Sequence, residues 1–473
     1  MKYGFLLLLF YSWLGTAQEV WSLEHSIKYA INQNLGLKLS ELSIQNASVD
    51  LKQNIHQRYP NLNAGINGGI SFGRSIDPTT NDFISDNIIY TNYNLTSGIP
   101  IYQAGLINNS IKKSRLDLKA SKESYQQAIY DLSLSVASLY LSVLQAEEAL
   151  KLAGENVSMV GVQLSQIRSL IRLGSKPESD ALEIEVQVAK SAQSMVNAEN
   201  TLDLAWLQFR QALRIPGNIE IKLEAISSEL VDQTIRADYG FEQLYQHSLE
   251  NTPGLKAAKL RLESAKIGER IARASYFPSI YGSANIGSRF SDAAQTINTE
   301  SRRTIVPGVE IDGKPVQYSQ IFRIPIGTEL IPFKNQFDQF LGYGVGVSIN
   351  VPIYQNYLPK ATTQRAKIVT NQFELQLEQE QENIKQEITQ AIVNAKAAIK
   401  EYQSAFRTKE AAEVSRNKTQ KKFEIGSANS FELNTAQSNL QSAEINLLIA
   451  KYQLLFRQKI LDFYAGNFLL TKN

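Results

Sequence analysis

The strongest constraint on this chain is that it is one unit written twice, and such repeats decide an architecture before any single element does. Arg58-Tyr59-Pro60 and Ser275-Tyr276-Phe277-Pro278 both end a helical stretch, with the two prolines 218 residues apart. At that offset Leu37-Lys38 falls on Leu255-Lys256, Gly69 on Gly287 and Phe72 on Phe290. Further along, Ile99-Pro100-Ile101-Tyr102-Gln103 falls on Val351-Pro352-Ile353-Tyr354-Gln355, and Gly174-Ser175 on Gly426-Ser427, now at an offset of 252. The jump lies between the two strands of each half, so the second half carries a longer loop, about 292–339.

The helices repeat in the same register. Ile384, Ile388, Ala391, Ala395, Ala398, Tyr402 and Ala405 follow the 4-3 spacing of a coiled-coil seam. Their counterparts Leu132, Val136, Leu139, Val143, Ala146, Leu150 and Ala153 are all apolar. A second seam, Ile184, Val188, Ser191, Met195, Ala198, Leu202 and Ala205, matches Ala436, Leu440, Ala443, Leu447, Ala450, Leu454 and Arg457, with only the last position out of pattern. Each half, 18–213 and 241–473, therefore reads helix, strand, loop, strand, very long helix, tight turn, helix. Residues 214–240 form a linker, with Ile215-Pro216-Gly217 ending a helix. The long helices are expected over about 104–171 and 357–424; at 1.5 Å per residue each would be roughly 100 Å long.

Four segments alternate with period two: about 61–73, 88–101, 279–290 and 341–351. In the first, Leu62, Ala64, Ile66, Ile70 and Phe72 share one face, and Asn61, Asn63, Asn67 and Ser71 the other. In the last, Leu341, Tyr343, Val345, Val347, Ile349 and Val351 oppose glycines, Ser348 and Asn350. A soluble sandwich also alternates. Strands of 10–13 residues with a small polar opposite face fit instead a tilted crossing of a bilayer around a watery lumen. Tyrosines such as Tyr102, Tyr276 and Tyr354 near strand ends suit an interfacial girdle. Four strands cannot close a barrel, and an open edge cannot face lipid, so the barrel must be shared among chains. Two copies give eight strands and three give twelve.

Composition removes most alternatives. With no cysteine, the chain has no disulfide framework, thiolate metal site, cysteine nucleophile or lipid-anchor cysteine. The histidines are His25, His56 and His247, too dispersed for a metal or acid–base cluster. A net charge of +2 gives no case for nucleic acid. No nucleophile elbow or phosphate loop is present, so neither an enzyme nor a cofactor is expected. Three methionines argue against a relay for soft metal cations. Residues 1–17 read as a secretory signal: Lys2, an apolar core around Leu6–Phe10, and Gly15 and Ala17 before Gln18. No other run of 18 apolar residues exists, so no helical membrane span is expected.

Taken together, the signal, the duplicated strand-hairpin and long-helix unit, and the paired Pro-Ile-Tyr strand ends resemble the TolC-like outer-membrane efflux protein family, over the whole mature chain. The resemblance implies an α+β membrane protein. In it, a long α-helical coiled-coil barrel in the periplasm would join a transmembrane β-barrel in the outer-membrane lipid. A homotrimer would share that barrel, four strands per chain. It also implies the exit channel of a tripartite efflux system, working with a periplasmic adaptor and an inner-membrane transporter; the alternative within the family is the duct of a type I protein secretion system. The family pattern Pro-Leu/Ile-Phe-x-x-Gly is met by Pro100-Ile101-Tyr102 with Gly105. In the second copy Tyr357 stands where Gly is usual, which puts that strand-to-helix bend in question.

The candidate tips are Leu173-Gly174-Ser175-Lys176-Pro177-Glu178 and Ile425-Gly426-Ser427-Ala428-Asn429-Ser430. Glycine suits the left-handed C′ position that ends a helix. Ser175 with Glu178, and Asn429 with Glu432, have the spacing of a capping box. By the resemblance, Leu173, Gly174, Ser175, Ile425, Gly426 and Ser427 would dock the adaptor. Asp180 and Glu432, six residues beyond each glycine, would form the periplasmic gate. A second gate acid of the family corresponds to Thr435. The family's partners for Asp180 correspond to Phe423 and Ala428, neither a phenol nor a base, leaving Arg172 or Lys176 as replacements.

Overall fold

A computed structural model describes residues 19–76, 81, 83–85, 87–217, 219–225 and 240–466; the signal segment and residues 226–239 of the linker lie outside the described residues. The strands are β1 (Glu19–Trp21), β2 (Asn61–Ser71), β3 (Arg74–Ile76), β4 (Phe83–Ser85), β5 (Ile88–Tyr102), β6 (Ile221–Leu223), β7 (Ser279–Ser291), β8 (Gln295–Ile311), β9 (Lys314–Leu330) and β10 (Gly342–Asn350). The α-helices are α1 (Leu23–Gln33), α2 (Leu35–His56), α3 (Leu106–Arg172), α4 (Glu178–Leu213), α5 (Phe241–Asn251), α6 (Pro253–Arg273), α7 (Phe333–Gln339), α8 (Leu358–Glu424) and α9 (Ser430–Tyr464). The duplication is visible in these bounds: α3 and α8 each have 67 residues, and their first and last residues stand at the offset of 252.

The chain divides into two compact units. Among the described residues the helical unit comprises those within 19–48, 116–263 and 371–466, and the strand unit those within 49–115 and 264–370. In the helical unit the seam side chains meet. Val136, Val143 and Ala146 of α3 join Phe209 and Leu213 of α4, Ala398 of α8, and Leu448, Leu454 and Leu455 of α9 in one buried cluster. Each large apolar side chain removed from water there contributes about 1.5–3 kcal/mol. The alternation of Ala with Leu and Val lets helix backbones approach closely along the seam. One stretch of α3 is long and apolar enough, by length and composition alone, to cross a membrane. Part of that stretch packs in the seam, where α3 supplies Val136, Tyr140, Leu141, Val143 and Leu144 to the core.

The linker contains a strand that the sequence does not announce. Ile221–Leu223 pairs in parallel with Glu19–Trp21. The buried Tyr140 hydroxyl secures both strands: it donates toward Glu224 O at 2.8 Å and Trp21 O at 3.0 Å. Burial, then the nearby Glu224 carboxylate, push its phenol up to about 12. Three-residue strands carry too little alternation to be recognised by period.

In the strand unit the sheet order is β10-β7-β5-β2, all neighbours antiparallel. Register gathers the apolar residues on one face: Tyr343, Val345 and Val347 lie opposite Ile286, Ala284 and Gly282, while Leu95 lies opposite both Ile286 and Ala64. Leu62, Ile66, Ile70, Tyr343, Val345, Val347 and Ile349 are all exposed, far more apolar surface than water tolerates in one patch. The other face carries Asn63, Thr96, Asn285 and Gly344 in one row and Asn67, Asn92 and Arg289 in another.

The segment expected as a loop over 292–339 is ordered differently. It forms a hairpin of two 17-residue strands, β8 and β9, turning at Asp312-Gly313, where both residues have positive φ. The short helix α7 follows, seated on the apolar face. Phe333 and Phe337 pack edge-on to Tyr93 at 6.1 and 5.7 Å, and Phe290 meets Phe333 at 5.4 Å. The Gln336 amide donates to Ser291 O and Ile331 O and accepts from Ser291 N–H, which closes the hairpin's base.

The strand-to-helix bend is the same in both copies. Ala104 and Gly105 have φ of 49° and 76°, Asn356 and Tyr357 of 44° and 67°. Tyr357 thus takes the left-handed conformation of the glycine it replaces, at a cost of roughly 1–2 kcal/mol. Its hydroxyl donates to Gln364 at 3.1 Å, and Lys360 lies 5.3 Å over its ring.

Candidate functional site

The two tips are built alike. Gly174 and Gly426 have φ of +73° and +77°. Ser175 N–H reaches Leu170 O at 2.9 Å and Gly174 N–H reaches Ile171 O at 2.9 Å; Ser427 to Lys422 and Gly426 to Phe423 repeat the pair at 2.8 and 3.1 Å. This is the Schellman closure, which satisfies carbonyls that a helix end would otherwise leave open. The return helices then start in two ways. Asn429 caps α9, its side chain accepting from Glu432 N–H at 2.9 Å. Ser175 does not cap α4, contrary to its spacing: the cap position is Pro177, which has no side-chain acceptor to offer. Glu178 and Asp180 in the first turn of α4 still oppose the positive end of its dipole.

Beneath the turns Val160, Ile167, Ala181, Ile184, Phe423, Ala428 and Leu433 form a single buried cluster, so the two tips of one chain pack as a pair. Lys176 sits at its edge. Its ammonium lies 3.8 Å from the Asp180 carboxylate and 4.6 Å over the Phe423 ring, and both ionic side chains are only 19% exposed. Of the two bases considered as partners of Asp180, Lys176 is the one that meets it; Arg172 instead donates to Ser169 Oγ at 3.1 Å on its own helix. Phe423 takes part through its ring face, and Ala428 through burial. Arg168 and Glu185 tie α3 to α4 one turn further up at 2.7 Å, a pair the sequence analysis did not single out.

Three large apolar residues at the tips point outward, whereas Ser430 is buried. Leu173 is 78% exposed and Ile425 80%, and Phe431 in the first turn of α9 is also exposed. Glu432 is exposed beside it. An open groove next to the first tip is lined by Arg168, Arg172, Glu178, Leu182, Glu185 and Gln420. Among the described residues there is no cluster of acidic and histidine side chains that could hold a metal ion.

A duplicated chain with these tips and this sheet has known counterparts. The model of the outer membrane efflux protein family matches residues 27–213 and 244–467. The chain belongs to this family. It is an outer-membrane protein with its helical part in the periplasm. It is 25% identical over 295 residues to the probable outer membrane lipoprotein SilC of Salmonella typhimurium, covering 60% of this chain and 59% of that one. It is 22% identical over 189 residues to outer membrane protein TolC of Salmonella enteritidis, covering 40% and 38%. The chain thus aligns with less than two thirds of the length of these curated relatives. Among solved structures, CusC superposes with a TM-score of 0.75 at 16% identity, over 94% of this chain and 91% of that one. VceC of Vibrio cholerae superposes with 0.71 at 13% identity, over 94% and 96%. These likenesses establish a shared fold.

Proposed function

We propose that three copies of this chain form the outer-membrane exit channel of a tripartite efflux system, a passive duct for small molecules. The observation that carries the reading is the open four-stranded sheet. Its outer strands β10 and β2 end the sheet, and the broad part of its apolar face that α7 leaves exposed suits lipid, where an unpaired edge is not tolerated. Because neighbours alternate in direction across an even number of strands, β2 of one copy can pair antiparallel with β10 of the next. Any number of copies closes without a parallel seam, and three give the twelve-stranded barrel of the family. The three methionines leave little for soft cations to bind, which favours organic solutes as cargo.

In this reading Asp180 and Glu432 gate the periplasmic end, three copies of each around the axis. Lys176, between Asp180 and Phe423, holds α4 against α8 in the resting state. Leu173, Gly174, Ser175, Ile425, Gly426 and Ser427 dock a periplasmic adaptor, the exposed Leu173 and Ile425 offering apolar anchors. The adaptor links the channel to an inner-membrane transporter.

The chain has no native cysteine, so a single cysteine at Ser175 or Ser427 can be cross-linked in living cells. Capture of a periplasmic adaptor is expected at both positions. The transporter bound to that adaptor separates an efflux pump from a type I secretion system. Capture of neighbouring channel copies alone, at both positions, would refute the docking role.

A further inference from the structure

Arg289 is the one charged residue in β2, β5, β7 and β10, and these strands contain no aspartate or glutamate. It stands on the polar face, in register with Asn92, which is in register with Asn67. The adjoining row of that face carries Asn94 and Gly287, and the next Asn63, Thr96 and Asn285. Arg289 is two residues from the end of β7 that leads to the β8–β9 hairpin, remote from the ends joined to the long helices. Its guanidinium lies 5.7 Å over the Phe340 ring, and the side chain is otherwise exposed.

We infer that Arg289 forms a binding step for anions at the outer mouth of the channel; this rests on the trimeric barrel proposed above. Three copies place three guanidiniums at one height on strands that carry no other charge; Asp292, just beyond β7, has its carboxylate engaged by Ile89 N–H at 2.8 Å. Guanidinium stays charged at any physiological pH and presents a planar fork that matches carboxylate, sulfonate or phosphate oxygens. Stacking on Phe340 engages the face of the guanidinium and leaves its edge N–H donors free to bind. Asn67 and Asn92 add amide donors beside it and bring no competing negative charge. Acidic solutes leaving the duct would pause there, and basic ones would pass unheld.

Salt sets where the effect is visible. Screening acts over about 8 Å at 0.15 M and about 30 Å at 0.01 M. The ring therefore governs the whole lumen only at low ionic strength and acts near the wall at physiological salt. The test is current through the purified channel in bilayers of zwitterionic lipid, with hexacyanoferrate(III), a trianion, added on the hairpin side. Wild type is expected to be blocked in 10 mM KCl and far less in 0.5 M KCl. Arg289→Gln is expected to need at least about tenfold more trianion for the same block, with the block retained in Arg289→Lys. Equal block of wild type and Arg289→Gln, or a conducting wild type with no block, overturns the inference while leaving the channel intact. A purified protein that conducts under no condition overturns the channel reading, and this inference with it.

Discussion

Replacing Tyr140 by Phe removes one oxygen and tests how Glu19–Trp21 are held. In the structure that hydroxyl serves two backbone carbonyls, Trp21 O at 3.0 Å and Glu224 O at 2.8 Å. They belong to the ends of a two-stranded parallel pair only three residues long. Trp21 O keeps a second donor, Glu224 N–H at 3.0 Å, and Glu224 is exposed, so the loss is that of an ordinary hydrogen bond, about 0.5–1.5 kcal/mol, and a pair this short has little cooperativity of its own to absorb it. If local opening bears the whole cost, the amides of Glu19–Trp21, Ile221–Leu223 and Glu224 should exchange about 2- to 13-fold faster in Tyr140→Phe. Hydrogen–deuterium exchange with peptide mass spectrometry on the detergent-purified protein reads this directly. The tip peptides around Gly174 and Gly426, in their separate cluster, should be unchanged. Unaltered exchange at both strands would show that the pairing is held by other contacts and that the hydroxyl bonds contribute nothing.

Four further outcomes are expected. Lys176→Met removes the contacts to Asp180 and Phe423, worth together about 1 kcal/mol, and should raise resting leak, measured as increased uptake of a large antibiotic by intact cells; unchanged uptake would remove Lys176 from the gate. Glu432→Gln should weaken block by trivalent cations added on the tip side severalfold, and identical block would exclude a role for that acid. Tyr357→Gly should relieve about 1–2 kcal/mol of backbone strain, offset in part by loss of the Gln364 and Lys360 contacts, so thermal stability should not fall by more than about 1 kcal/mol; a large loss would refute the strain. Burial holds the Glu444 carboxyl above the usual range, with Lys409 opposing the shift and Glu413 and Glu155 adding to it. A folded-state value above the unfolded one means that the stability linked to this proton is complete at low pH and is lost as pH rises through the folded value. Glu444→Gln should therefore raise the melting temperature at pH 7 and change it little at pH 4; the reverse order would contradict the assignment.

Much of the architecture was legible because duplication is a long-range signal that needs no alignment to other proteins. Gly174 with Gly426 and Pro60 with Pro278 mark ends that only such residues serve well. The heptad seams predict burial, and Val136, Ile184, Ile388 and Leu454 are buried. What stayed hidden is short or depends on partners distant in the chain. The β1–β6 pair joins residues about 200 positions apart through three-residue strands. Residues 292–339 looked like loop because their mixed polar and apolar content lacks the clean alternation of a half-buried strand, yet β8 and β9 need only each other to pair. The proposed Ser175 cap failed because Pro177 takes the cap position and starts the helix two residues later. At Tyr357 the backbone kept the bend at the expense of local strain, an outcome that residue preference alone argues against. The pairing of Lys176 with Asp180 was one of two options on the sequence, and only the turn of the α4 helix separates it from Arg172.

The central claim is a barrel closed between copies, and the most direct measurement joins its two free edges. One cysteine replaces Asn63 on β2 and another replaces Ser348 on β10, both on the polar face, and a bifunctional thiol reagent is applied to outer membranes. The account predicts covalent dimers and trimers in denaturing gels from the double variant, a ladder that stops at three, with single variants giving neither. A double variant that remains monomeric, or a ladder that runs past three, would contradict a trimeric channel.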